Sequence, residues 1–200
     1  MNAPAELFED AHFQGTGSTG ASVCGGVPYE KILIKHDSLW SGQERDKSNP
    51  GTHRHFPQAR RLVLEGKLRE ATDLINHEML GRWSESFLPL GHLHLVMGHT
   101  TDLRPQSQRQ ILEGDFPVSA YSRTLTLEDA VERIEYRLMG CRHQREIFGS
   151  YPDDVLVIRL SAEEKNLSFS LSMDSQLRHD QIIPPDGAAV TGRAPDRVEP

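Results

Sequence analysis

The sequence predicts a mainly β chain, an antiparallel sandwich with one short helical insertion near residues 57–80. Three observations predict it. Apolar and polar residues alternate along a series of short runs, the period of a strand with one buried face. The period shifts to three and four residues in only one stretch. Glycine clusters, which suit turns, punctuate the start of the chain.

The glycines come first: Gly15-Thr16-Gly17-Ser18-Thr19-Gly20, then Gly25-Gly26. No Lys-Ser/Thr pair closes this run and no helical pattern follows, so it reads as turns and not as a phosphate cradle. Val27-Pro28-Tyr29-Glu30-Lys31-Ile32-Leu33-Ile34 reads as hairpin and strand. From Pro57 to Leu80 the residues Leu62, Val63, Leu68, Ala71, Leu74, Ile75 and Met79 recur at helical spacing. Pro57 suits a first helical turn, Gly66 divides the stretch into two helices, and Gly81 suits a stop.

Strands follow. Leu93, Leu95 and Met97 alternate with His92, His94 and Val96; Arg123–Leu127, Cys141–Ser150, Val155–Leu160 and Leu167–Met173 continue the pattern. The last of these reads as half-buried with one wet face. Ala130–Leu138 fits a helix by Val131, Ile134 and Leu138, and a strand by Ile134, Tyr136 and Leu138. Its setting among strands favours the strand. The tail from Ile183 onward offers no closing element.

Composition excludes several classes. Lys and Arg number 22 against 29 Asp and Glu, a formal charge of −7, which argues against nucleic acid because that binding rests on clustered cations. No run approaches the roughly 18–20 apolar residues of a spanning helix, so no membrane is expected. Met1-Asn2-Ala3-Pro4-Ala5-Glu6 has neither a basic nor an apolar stretch, so the sequence as it stands reads as cytoplasmic. Cys24 and Cys141 form no CxxC, and reduced thiols are the expected state.

Candidate chemistry is sparse, and no cofactor is expected. His92 and His94 fall on one strand face, with His99 nearby and His53 and His55 earlier, a partial metal-site pattern. Gly98 and His99 stand where a cupin-type site would want a glutamate, so histidines on a polar strand face, without metal, are the preferred reading. Asp153-Asp154 reads as a solvated turn. Cys141 with His143 reads as strand alternation, not a thiol nucleophile. Ser41 and Ser84 lack an elbow motif, and Asn166-Leu167-Ser168 is a sequon that matters only in a secretory setting. Trp40, in His36-Asp37-Ser38-Leu39-Trp40-Ser41-Gly42, could stack on a sugar or plug the sandwich. The small polar residues around it favour the rim.

Several blocks together carry a resemblance. Ala11, Gly15, Gly17, Gly20, Ala21, Val23, Gly25 and Gly26 form the first. Asp37-Ser38-Leu39-Trp40-Ser41-Gly42 with Asp46 and Asn49-Pro50 form the second, and Arg60–Lys67 a helical third. Pro89-Leu90-Gly91-His92-Leu93-His94-Leu95, Tyr121–Leu127, Arg145–Pro152 and Gly192-Arg193-Ala194-Pro195 follow in order. In these blocks the chain resembles the N-terminal domain of glycoside hydrolase family 95, the α-L-fucosidases. It departs at Thr16, Ser18, Lys35-His36 and His92, where the family has Asn, Arg, Asn-Glu and Asp. Leu103–Val118 has no counterpart.

The resemblance implies a super-sandwich, incomplete here, that precedes a helical (α/α)6 barrel. In that family the barrel holds the glutamate acid and the residues that position water for inverting hydrolysis. Its segments are not in this sequence, so no catalytic residue carries over. The expected organisation is an N-terminal extension over residues 1–10 and the sandwich domain over 11–200, ending before the barrel. The expected role is structural or substrate-framing, with Asp37 and Trp40 at the substrate rim, a fucosylated glycan as substrate of the parent enzyme and the barrel as partner. The alternatives are a non-catalytic carbohydrate-binding module and, less favoured, a metal-dependent cupin-like enzyme.

Overall fold

The computed structural model describes residues 1–44, 46, 48–81, 84–98, 118–138, 140–163, 167–182 and 187–196. It divides into two compact units, one from Met1–Trp40 with Phe87–Pro195, the other from Ser41–Ser86 with Asp196–Pro200.

The first unit is the predicted sandwich. Strands β1 (His12–Gly15), β2 (Thr19–Val23), β3 (Tyr29–His36), β4 (Gly91–Met97) and β9 (Phe169–Asp174) form a five-stranded antiparallel sheet in that order. Strands β5 (Val118–Thr126), β6 (Val131–Leu138), β7 (Cys141–Ser150) and β8 (Val155–Ala162) form a four-stranded antiparallel meander. Ala21, Val23, Ile32 and Leu93 of the first sheet, with Val27 from the β2–β3 connection, pack with Ile134, Tyr136, Leu138 and Ile147 of the second. The strand residues among them lie on the inward parity of their strands, so alternation assigns them to the inner face and the packing of the two sheets brings them together. Of the ambiguous Ala130–Leu138, the residues Val131–Leu138 form a strand, paired antiparallel with β5 and β7 on its two sides, with a bulge in the β5 ladder between Ser119 and Ser122. Met1 and Ala5 are tied in as well: Ala5 is buried and its N–H donates to the Cys24 carbonyl.

The early glycines turn the chain as expected. Gly15 and Gly20 pair across the β1–β2 hairpin, and Gly17 in its loop has φ +109°. Gly25 has φ +81°, and a Cβ there would lie 2.6 Å from the Tyr121 hydroxyl. Only glycine fits that approach. Cys24 and Cys141 are not bridged.

Two expectations for this unit need correction. The tail does close: β10 (His179–Ile182) and β11 (Ala189–Gly192) form a hairpin on either side of Ile183 to Asp186, which lie outside the described residues. Gly192 fits because a Cβ would meet the Arg178 carbonyl at 2.5 Å. The run Leu167–Met173 is a strand, but β9 is not half-buried: Phe169 and Leu171 are 49% and 52% exposed. Among the described residues it lies at the sheet edge with a partner on one side only. Leu103–Val118, apart from Val118, lies outside the described residues.

The second unit holds α1 (Thr52–Leu64), α2 (Leu68–Leu74) and a π-helical turn over Ile75–Met79. Pro57 stands inside α1 and not in its first turn. The helix starts earlier because Asn49 builds a turn ahead of it: its side chain accepts from Gly51 N–H, and its carbonyl accepts from Thr52 N–H and hydroxyl. Gly66, at φ +75°, ends α1. Lys67 N–H donates to Leu62 O and Gly66 N–H to Val63 O, the paired bonds of a Schellman stop. No helix among the described residues is long and apolar enough to cross a membrane.

Candidate functional site

The loop after β3 presents Asp37 and Trp40. Asp37 N–H donates to the Ser18 carbonyl, and its carboxylate, 66% exposed, lies 3.2 Å from His36 Nδ1. Trp40 Nε1–H donates to the Asp37 carbonyl at 2.7 Å, which pins the indole. The ring packs against Phe87, centroids 5.2 Å apart, and Lys35 Nζ sits 5.7 Å from the Phe87 centroid. Trp40 is 49% exposed, so it does not plug the sandwich. The loop is less uniformly polar than its sequence suggests. Ser41 is buried, donating to the Glu85 carboxylate and accepting from Ser86 N–H, which leaves Ser38 as the exposed hydroxyl.

A cluster that sequence reasoning missed lies inside the sandwich. Glu30, on β3, accepts from Arg145 at 2.7 Å and from the N–H groups of Cys24 and Gly25 at 3.0 and 3.1 Å. Arg145 also donates to the Gly26 carbonyl. Arg123 donates to the carbonyls of Cys24 and Asp10, and Glu132 meets His12 Nδ1 at 2.6 Å. Glu30, Glu132, Arg123 and Arg145 are all buried. Burial pushes the carboxyls of Glu30 and Glu132 up, against the pull of Arg145 on the first and His12 on the second. A signal was present: Glu30 shares its parity with Ile32 and Ile34, and Arg145 with Ile147.

The histidine pair gains a third member that spacing could not reveal. On the outer face of the first sheet, His92 Nδ1 lies 2.9 Å from Asp174 Oδ1, and His94 Nε2 lies 3.1 Å from Asp174 Oδ2. Strand pairing sets His92 directly opposite Asp174. Tyr29 Oη meets the other nitrogen of His94 at 2.6 Å. Slight burial would raise the Asp174 carboxyl, but hydrogen bonds from His92 and His94 outweigh it and hold the group below its ordinary value. These three side chains could hold a metal. His53 and His55 belong to the helical unit, His55 facing Glu78 at 3.9 Å, and His99 lies outside the described residues.

The remaining candidates dissolve into structure. His143 is buried and stacks on Tyr136, centroids 5.1 Å apart, so no base is offered to Cys141 from an open site. Asp154 is more than a solvated turn residue: it accepts from Thr16 and Ser18 hydroxyls at 2.5 and 2.6 Å, tying the β7–β8 turn to the β1–β2 turn. Asp153 accepts from Ser150. Asn166 lies outside the described residues. A cleft of about 80 Å³ is lined by Leu39, Leu90, His179, Val190 and Arg193 among others. It is well under the roughly 300–1,000 Å³ of a small-molecule site. Three of the sequence blocks, around Leu39, Leu90 and Arg193, converge there, so part of their pattern is packing.

The family model described as the glycosyl hydrolase family 65 N-terminal domain matches residues 1–197. The chain is 31% identical over 180 residues to alpha-L-fucosidase 2 of Arabidopsis thaliana, covering 90% of this chain and 20% of that protein. It is 25% identical over 170 residues to a probable alpha-fucosidase A of Aspergillus niger, covering 82% of this chain and 19% of that protein. The chain thus spans about a fifth of the length of the relatives it matches.

Proposed function

Because the chain belongs to the glycosyl hydrolase family 65 N-terminal domain family, with α-fucosidases among its relatives, we propose that it is the front domain of an α-L-fucoside hydrolase, framing substrate without performing the chemistry. The observation that carries this reading is the loop at Asp37 and Trp40. A half-exposed indole, fixed by its own N–H, beside an open carboxylate and a hydroxyl offers a stacking surface and acceptors for sugar hydroxyls. The complementary support is negative. A glycosidase needs one carboxylic acid to protonate the leaving oxygen and a second carboxylate across the substrate. Burial raises the carboxyls of Glu30 and Glu132, and both side chains are buried inside the sandwich, away from any substrate.

The test joins this chain to a complete α-L-fucosidase barrel. Trp40→Ala should raise KM for an aryl α-L-fucoside while kcat stays level. The melting temperature should fall only modestly, because a half-exposed indole costs about 1–2 kcal/mol where a buried one costs roughly 3–5. The 200-residue chain alone should release no aglycone above buffer. An unchanged KM with a collapsed melting temperature would sink the rim role. Turnover by the chain alone, abolished by replacing one of its own carboxylates, would sink the framing role. Saturable fucoside binding without turnover by the chain alone would favour a carbohydrate-binding module.

A further inference from the structure

The outer face of the first sheet carries an arrangement that the framing role does not use. Residues opposite one another in a ladder point to the same side of the sheet. His92 and His94 on β4, Asp174 on β9 and Tyr29 on β3 therefore share one face. The ligand atoms of His92, His94 and Asp174 all lie within 4.8 Å of one another. A four-coordinate zinc ion, with bonds of about 2.0–2.2 Å, sets its ligands roughly 3.4 Å apart. The 2.9 and 3.1 Å contacts from Asp174 to the two imidazoles need to open by only a few tenths of an ångström to admit an ion.

We propose that His92, His94 and Asp174 form a binding site for a divalent transition-metal ion of the zinc type, with Tyr29 orienting His94. The ligand set chooses the metal: two imidazoles and one carboxylate suit zinc and its neighbours, whereas calcium and magnesium take oxygen donors. Three protein ligands leave a fourth position to water, as zinc sites open to solvent do. The phenol of Tyr29 serves both states. Without metal it donates to His94 Nδ1 and leaves the proton on Nε2. With metal it accepts from Nδ1–H, which frees the Nε2 lone pair for the ion, the outer partner a ligating histidine ordinarily has. The sheet holds these groups rigidly, since His92 and His94 are largely covered and lie on a strand paired on both sides. The carboxylate is the open side, 55% exposed, and gives the ion its path. Lys31, opposite His94 in the ladder, is exposed.

The test is calorimetric titration of the chelator-treated 200-residue chain with Zn²⁺ at pH 7.5, beside the double variant His92→Ala/His94→Ala, which keeps every other histidine. The expected result is one equivalent bound by the native chain and none at that affinity by the double variant. Asp174→Ala should weaken binding by more than tenfold, and Tyr29→Phe by about tenfold. A second measurement needs no variant: Co²⁺ should selectively broaden the ring proton resonances of His92 and His94. Equal zinc uptake by the double variant, or broadening that spares both rings, would overturn the site.

Discussion

One row of side chains crosses the inner face of the five-stranded sheet, and its two ends invert the usual rule. The ladder sets Glu30 of β3 opposite Leu95 of β4, and Leu95 opposite Leu171 of β9. Glu30 is fully buried and Leu95 is 1% exposed, while Leu171 is 52% exposed. Every member has the same strand geometry and antiparallel pairing. What differs is the cover: Arg145 of the opposite sheet reaches Glu30, whereas the packed core extends to β9 only at Met173. Alternation assigns a side chain to a face; the second sheet decides whether that face is dry.

The sharpest way to break the comparison is at its charged end. Arg145→Met strips the partner from a carboxylate held in the core, and should cost about 3–5 kcal/mol in urea unfolding. Replacing both members, Glu30→Leu with Arg145→Met, should recover part of the loss. Full recovery is not expected, because the Cys24 and Gly25 N–H groups would lose their acceptor. A double variant no more stable than Arg145→Met would mean that the ion pair is not what the single change removes.

Next comes the leucine pair. Leu95→Ala should cost about 2–5 kcal/mol and Leu171→Ala less than about 1, although both occupy the same row. Leu171→Lys should leave the unfolding midpoint nearly unchanged while lowering hydrophobic-dye binding and self-association, because an apolar edge strand invites pairing. Equal costs for the two alanine variants would show that β9 is covered in solution.

The smallest effect concerns the turn tie at Asp154. Its hydrogen bonds from Ser18 and Thr16 hold the carboxyl below its ordinary value of 3.8. A depressed folded value means stability that is present above the unfolded value and lost as pH falls through the folded one. The native chain minus Asp154→Asn should therefore give a stability difference that is flat above about pH 5 and shrinks below about pH 4. Asparagine tolerates the φ of +50° at this position, so the comparison isolates charge. A difference constant down to pH 2 would remove the carboxylate from the tie.

Much of the fold was legible because strands and helices have different periods. Cys141–Ser150 is a strand with the predicted bounds, Ala130–Leu138 settles as a strand from Val131 on, and Gly66 divides the helices through its positive φ. The family blocks were legible too, and they span the matched region. Position along the chain also placed Asp37 and Trp40 on a loop just after a strand.

By itself the sequence determined face and period, since both depend on neighbours within a few residues. Only the tertiary structure decided what meets across long separations. It brought Arg145 to Glu30, Asp154 to Thr16 and Asp174 to His92 and His94. Such contacts depend on strand order and on which sheet covers which, and a local alternation is the same whether its strand lies at the centre of a sheet or at an edge. That is why a glutamate on an apolar parity could be dry and a leucine one strand from a buried leucine could be wet.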